Sequence, residues 1–217
     1  MFTFNFKMIK LNYICPIILI KRQMKIQVKT PRVTTADYLD FDFLHRKAER
    51  LINYEPKLKT IGVYIAVAMY TGLRYSDLIR LTYEDLDYSN RDFNVVEQKT
   101  GKIRTITISK KLRDLLMVTY RTSNEGLIFL SQKGTPFTNQ ALNRVLKTVL
   151  TEHKNQTNNI STHTLRKSFG RRIWEKNGKS EEGLIYLMDL FNHSSLKITK
   201  TYLGITADDR AKLYLSL

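Results

Sequence analysis

Six side chains along the chain have the types that phosphoryl transfer without a metal requires: Arg74, Lys99, His163, Arg166, His193 and Tyr202. A guanidinium is a planar fork that can hold two non-bridging phosphate oxygens. Lysine and histidine can carry a proton to or from oxygen. A tyrosine can attack phosphorus, but its phenol ordinarily ionises near ~10 and needs help to do so. His163 and Arg166 stand three apart in His163-Thr164-Leu165-Arg166 and so share a helix face. Arg74 follows Gly72-Leu73 at a predicted helix start, where free backbone N–H groups also favour an anion. Asp77, three residues on, stands where it could orient that guanidinium from behind. Lys99 lies in the turn Gln98-Lys99-Thr100-Gly101-Lys102, and Lys102 is its rival. His193 occupies the helix-breaking stretch Asn192-His193-Ser194-Ser195, with Tyr202 nine residues further on. The chain has four histidines, none with an acidic or cysteine partner at ligand spacing, which argues against a metal.

These residues need a scaffold, and hydrophobic periodicity outlines one. Thr34-Thr35-Ala36-Asp37 reads as a cap before a helix that carries Phe43, Leu44, Ala48, Leu51 and Ile52 at helical spacing to about Tyr54. Pro56 breaks that pattern, Leu58 to Tyr70 forms the next helix, and Gly72 closes it. A third helix is predicted from Ser76 to about Tyr83, with Leu78 and Leu81 inward. The period then changes to two over 92–97 and 103–108, which makes a hairpin with Gly101 in its turn. Further helices are predicted at 110–120, from 138 or 139 to 151, from 161 or 162 through the His-Leu-Arg set, and at 181–191, 196–202 and 208–215, with a short strand at 127–130. The fold class is mainly α with a small antiparallel β-sheet or hairpin inserted (α+β).

Composition narrows the partners. The 217 residues include 36 Lys and Arg against 20 Asp and Glu, a net charge of +16, which points to a polyanion and first of all to nucleic acid. A hydrophobic share of 42% is enough for a core. The single cysteine, Cys15, excludes an internal disulfide and a cysteine-based zinc site, and fits a reducing interior. Residues 1–33 hold seven Lys or Arg and no acid. Their apolar run Leu11 to Ile20 is interrupted by Pro16, is too short to span a bilayer and is followed by no small-residue cleavage site. This stretch reads as a basic arm, flexible or edge-packed, preceding a folded domain at 34–217, with either Met1 or Met24 as the true start. No membrane role is expected.

Taken in order, Thr71-Gly72-Leu73-Arg74 with Asp77-Leu78, Lys99 on a hairpin, His163-x-x-Arg166, His193-Ser194-Ser195 and Tyr202 resemble the catalytic domain of the tyrosine recombinases, also called the phage integrase family, over about residues 35–217. Each motif alone is weak, and the ordered set with its His-to-Tyr gap of nine is specific. The resemblance implies a site-specific DNA recombinase acting in integration, excision or inversion. Tyr202 would form a 3′-phosphotyrosyl link and leave a free 5′-hydroxyl. Arg74 and Arg166 would stabilise the pentacoordinate phosphate, Lys99 would protonate the departing oxygen, His163 would exchange a proton with Tyr202, and His193 would hydrogen-bond the phosphate. It also implies double-stranded DNA as partner, a homotetramer on two sites with the helix at 208–215 exchanged between neighbours, accessory DNA-bending proteins, and a cytoplasmic, nucleoid-associated location. Asn192 stands where the family usually has glycine, and a left-handed turn is expected to survive because asparagine tolerates one. Lys167 stands where the family often has histidine, an exchange expected to matter little. Residues 1–33 cannot be the N-terminal DNA clamp of roughly a hundred residues, a typical small-domain size, that most members carry. The chain is therefore read as a catalytic-domain-only member or a truncated one. Relaxation of DNA in the manner of a type IB topoisomerase, or a truncated non-catalytic DNA-binding protein, are the alternatives.

Overall fold

The computed structural model describes residues 36–87, 89–119, 125–151 and 159–205. The basic arm at 1–33 and the helix expected at 208–215 lie outside the described residues.

The first described helix, α1 (Phe41–Tyr54), begins later than the Thr34–Asp37 cap would place it. Asp40 is the true cap: its carboxylate accepts from the Phe43 N–H at 2.7 Å, while the Asp37 N–H is taken by the Asn159 carbonyl at 3.1 Å. Pro56 ends the helical pattern in a short 3₁₀ turn, Pro56–Leu58. The next helix, α2 (Lys59–Thr71), is buried on every side from Ile61 to Met69, so it is the central rod of the domain, packed between α1 and α6 (Thr162–Lys176). It stops at Gly72, whose φ of +61° is the left-handed conformation that a helix C-terminus favours.

Helix α3 is a single turn, Tyr75–Leu78, much shorter than the span predicted to Tyr83. Leu78 and Leu81 do face the core, but the chain then turns so that Thr82 pairs with Leu127. The Asp85 carboxylate captures both the Thr82 N–H at 2.8 Å and its hydroxyl at 3.0 Å, which fixes the turn. Strands β1 (Asp92–Val96) and β2 (Ile103–Thr107) form one antiparallel hairpin, in which Phe93 faces Ile106 and Val95 faces Arg104. The expected strand at 127–130 reduces to two isolated bridges, Thr82 with Leu127 and Leu130 with Pro136. Helices α4 (Lys110–Met117) and α5 (Asn139–Leu150) are capped by Ser109 and Thr138. Helices α7 (Glu181–Phe191) and α8 (Leu196–Tyr202) are capped by Ser180 and Ser195.

Among the described residues two hydrophobic clusters result. The large one gathers residues from α1 to α6 around α2. The small one consists of Trp174, Leu184, Leu187, Phe191 and Leu203, with Tyr202 packed against it. Gly170 of α6 lies at its edge, where an added Cβ would stand 2.7 Å from Leu203 and 2.9 Å from the Phe191 ring. The small cluster therefore carries α8 close against α6. Among the described residues no helix is long and apolar enough to cross a membrane.

Candidate active site

Each candidate side chain is placed by a local device. Ser161 caps α6 in a capping box with Thr164, and the Thr162 N–H is held by Asn143 of α5 at 2.8 Å. His163 thereby lies in the first turn of α6, exposed, and Arg166 one turn deeper, 4% exposed. Arg74 is the cap residue of α3, directly after the Gly72 turn. Asn192 ends α7 in the left-handed conformation, with φ 54° and ψ 50°. This is the turn expected with glycine there, and it directs the His193 N–H back to the Met188 carbonyl at 2.9 Å. The His193 ring is then fixed by Nδ1 to the Thr199 hydroxyl at 3.0 Å. Tyr202 ends α8 with its ring edge-on to His193, centroids 5.2 Å apart.

Phe191 joins these parts. Its carbonyl accepts from Arg74 Nη2 at 2.9 Å and from Arg166 Nη2 at 3.5 Å. Its ring lies 4.3 Å beneath the Arg166 guanidinium and 5.3 and 5.5 Å from the rings of Tyr202 and His193. Arg166 also donates to the Gly72 carbonyl, which ties α6 to the turn that carries Arg74. Arg74, Arg166, His193 and Tyr202 thus meet at one place. His163 belongs to the same neighbourhood, since the charges of Arg166, Lys167 and Arg74 bear on it.

The carboxylate on Arg74 is Glu97, not Asp77. Glu97, 5% exposed, accepts from Arg74 Nη1 at 2.9 Å and from the Thr100 hydroxyl at 3.0 Å, and faces Arg104 Nη1 at 3.9 Å. Asp77 is buried too, but its Oδ1 accepts from the Gln98 N–H at 3.0 Å and the Ser76 hydroxyl at 3.2 Å. It holds the base of the hairpin turn instead of the guanidinium. Lys99 is exposed in that turn, and its charge reaches His193. Lys102 lines a groove of about 410 Å³ with Glu97, Arg104, Tyr186, Asp189 and Asn192.

Electrostatics follow from crowding cations in a partly dry place. Burial pushes the Tyr202 phenol up to about 12. The Arg166 and Arg74 charges oppose that shift, yet the hydroxyl is shielded from solvent and completes no hydrogen bond of ordinary geometry. Burial lowers Arg166 to about 10, with the Tyr202 hydroxyl acting against the fall and Arg74 adding to it. Both histidines are pushed down, first by burial (only partial for His163, whose outer edge stays exposed) and then by the neighbouring cations, which favours their neutral forms. Burial alone would raise the Glu97 carboxyl, but the hydrogen bonds from Arg74 and Thr100 and the charges of Arg74 and Arg104 hold it below the ordinary carboxylate range. Among the described residues, no group of three or more His, Cys, Asp or Glu could hold a metal ion.

Four residues at this place were not singled out by type and spacing. Phe191 acts through a backbone carbonyl, which no side-chain pattern reveals. Glu97 looked like one more polar strand residue. Arg104, which donates to the Thr71 carbonyl at 2.9 Å, does have a signal: it is in phase with Ile106 and Ile108 on the inward face of β2. Lys167, expected to matter little, is 5% exposed, and its Nζ lies 5.4 Å from the centre of the Tyr202 ring.

A mainly helical domain that gathers two arginines, two histidines and a tyrosine beside a lysine-bearing hairpin is the arrangement of a DNA strand-exchange catalytic domain. The chain belongs to the phage integrase family, whose model it matches over residues 42–208. It is 26% identical to tyrosine recombinase XerH of Campylobacter jejuni over 191 residues, covering 85% of this chain and 52% of the relative. It is 30% identical to tyrosine recombinase XerC of Pseudomonas fluorescens over 148 residues, covering 66% of this chain and 47% of the relative. The chain therefore spans about half the length of these relatives. Its fold is that of XerH recombinase bound to its palindromic difH substrate in a post-cleavage complex, with a TM-score of 0.62 and 20% identity over 83% of this chain and 53% of that one. A lambda integrase dimer bound to a COC' core site gives a TM-score of 0.57 and 18% identity over 77% and 59%.

Proposed function

We propose that the chain is a site-specific DNA recombinase that cuts and rejoins double-stranded DNA through a 3′-phosphotyrosyl intermediate. The observation that carries this is the meeting of Arg74 and Arg166 on the Phe191 carbonyl, with the Tyr202 hydroxyl buried, under the influence of the Arg166 charge and without a hydrogen-bond partner. Two guanidiniums held on a shared acceptor are ready to exchange it for the non-bridging oxygens of a phosphate, in the partly dry setting where such contacts count most. The Tyr202 oxygen attacks phosphorus, a P–O bond to tyrosine forms, and the P–O5′ bond breaks. The phenolic proton passes to His163, neutral and exposed at the helix start. Lys99 gives a proton to the departing 5′ oxygen from the hairpin turn. His193 keeps Nδ1 on Thr199 and turns Nε2 toward a phosphate oxygen. Asp77 and Glu97 act behind these groups, the first by holding the hairpin turn and the second by holding Arg74. No step requires a metal or a high-energy cofactor, because the phosphotyrosine conserves the bond energy.

The relatives bound to DNA and the net charge of +16 support double-stranded DNA as the partner. The working form is a homotetramer on two sites, with residues 208–215 exchanged between neighbours and DNA-bending proteins assisting, at the nucleoid in the cytoplasm. The chain acts as a catalytic domain from residue 34, preceded by a basic arm that adds non-specific grip.

The test is a trapped adduct. The protein is mixed with DNA from its genomic neighbourhood, nicked to prevent religation, and then denatured. DNA retained covalently by the wild type and lost in Tyr202→Phe is the expected outcome. An adduct that persists in the variant moves the nucleophile elsewhere, and binding without any adduct overturns the enzymatic reading.

A further inference from the structure

Lysine is among the residues least often fully buried unless an acid accompanies it, because an unpaired charge away from water is costly. Lys167 breaks that rule. It sits in the middle of α6, 5% exposed, and among the described residues it makes no hydrogen bond and no ion pair. Burial lowers its pKa, and only the charge of Asp37 works against that. Its described neighbour is instead the face of the Tyr202 ring, with Nζ 5.4 Å from the centroid, within the ~6 Å reach of a cation–π contact.

We propose that Lys167 is a positioning residue for Tyr202: it holds the ring in place and supplies the counter-charge for the phenolate as Tyr202 attacks. The proposal rests on the recombinase reading and extends it. Against the neutral phenol, the lysine gains only the attraction of a ring quadrupole. Against the phenolate, it gains the attraction of a full negative charge carried on that same ring. The interaction is thus stronger in the reacting state than in the resting one, which is the condition for accelerating a step. In the resting protein the charge of Asp37 is what favours the ammonium, and the phenolate is a second negative partner that the reaction itself generates.

The other charged or titratable groups facing Tyr202 are Arg166, also on α6, Arg74 from the segment before α3, and His193 from the turn after α7. The two arginines are engaged by the Phe191 carbonyl in the resting protein and are the groups assigned to the phosphate. His193 is neutral and bonded to Thr199. Lys167 is the cation left to the nucleophile when the arginines are spent on phosphate. The histidine common at this position in the family gives a shorter side chain that is mostly neutral at neutral pH, so the lysine is more than a like-for-like exchange.

The test reads the phenol directly. A fluorinated tyrosine, which ionises in a range that the folded protein tolerates, is incorporated throughout, and the position-202 resonance is assigned by its loss in Tyr202→Phe. Its ¹⁹F shift is followed with pH in wild type, Lys167→Met and Lys167→Arg. Methionine keeps the length of the stem without the charge, and arginine keeps the charge. The expected result is a midpoint about one pH unit higher in Lys167→Met, a tenfold drop in the ionisation constant, with most of the shift recovered in Lys167→Arg. A midpoint unchanged in Lys167→Met, or moved equally in both variants, overturns the proposal. Adduct formation on nicked DNA is measured in parallel. An adductless wild type would sink the recombinase reading while the titration still decides the part played by Lys167.

Discussion

Gly72 offers the sharpest test of how the site is assembled. It holds φ +61°, its N–H closes α2 on the Ala68 carbonyl, and its own carbonyl receives Arg166. A Cβ at this position would stand 2.3 Å from Cδ1 of Phe169, on a ring that packs against Phe191. Gly72→Ala therefore incurs two costs. The left-handed backbone costs a side-chain-bearing residue ~1–2 kcal/mol, offset in part by the stiffer unfolded chain. Displacing Phe169 adds ~1–3 kcal/mol of overpacking. Gly101 separates the two, because it holds φ +67° in the hairpin turn with nothing within 4 Å of its added Cβ. Gly101→Ala should show the backbone cost alone, about 1 kcal/mol net. Gly72→Ala should lose about 2–4 kcal/mol. With a urea slope of ~2 kcal/mol/M, the midpoints fall by about 0.5 M and 1–2 M. Urea unfolding followed by circular dichroism measures both. Equal midpoints would refute the steric part, and an unchanged slope is required for either to count as a stability effect. The fraction of Gly72→Ala that remains folded should also cleave poorly, since Phe169 leans on the ring beneath Arg166.

The ion pairs at Glu97 give a prediction with a sign. Its carboxyl is depressed in the folded protein, so the stability it contributes is complete above its unfolded pKa and is lost as the pH falls through the folded one, below the ordinary carboxylate range. Acid unfolding of the wild type should be steeper there than that of Glu97→Gln, which has no proton to take up. Glu97→Ala strands two guanidiniums and should cost ~3–5 kcal/mol at neutral pH in a thermal or urea melt. Asn192→Gly removes a side chain from a left-handed cap and should leave stability equal or raise it by up to ~1 kcal/mol, whereas a valine there should destabilise.

Much of this arrangement was legible in the residues because it depends on local rules. Ser161 with Thr164, the Gly72 stop and the Asn192 turn each act within a few positions, and they set where His163, Arg74 and His193 fall. The His-to-Tyr gap of nine needs only one short helix, and α8 is that helix. The misreadings lie where distant chain decides. Helix α3 ends early because Thr82 is claimed by Leu127, 45 residues on. Asp77 was matched to Arg74 by proximity in sequence, but the hairpin brings Glu97 to the guanidinium and leaves Asp77 to the Gln98 N–H. Lys167 gave no sign of burial, because nothing nearby in the chain shows that Tyr202 will cover it.

The Phe191 carbonyl has one further property. A carbonyl oxygen has two lone pairs, enough to accept from both arginines, Arg74 at 2.9 Å and Arg166 at 3.5 Å. If either guanidinium leaves, the oxygen still keeps a donor and no buried acceptor is orphaned. On the proposed reading, the arginines can thus be handed over one after the other, each at the expense of a single exchanged hydrogen bond. Only a simultaneous departure would leave the oxygen bare. A backbone atom that changes in no side-chain substitution thereby makes the passage from resting site to loaded site a gradual one.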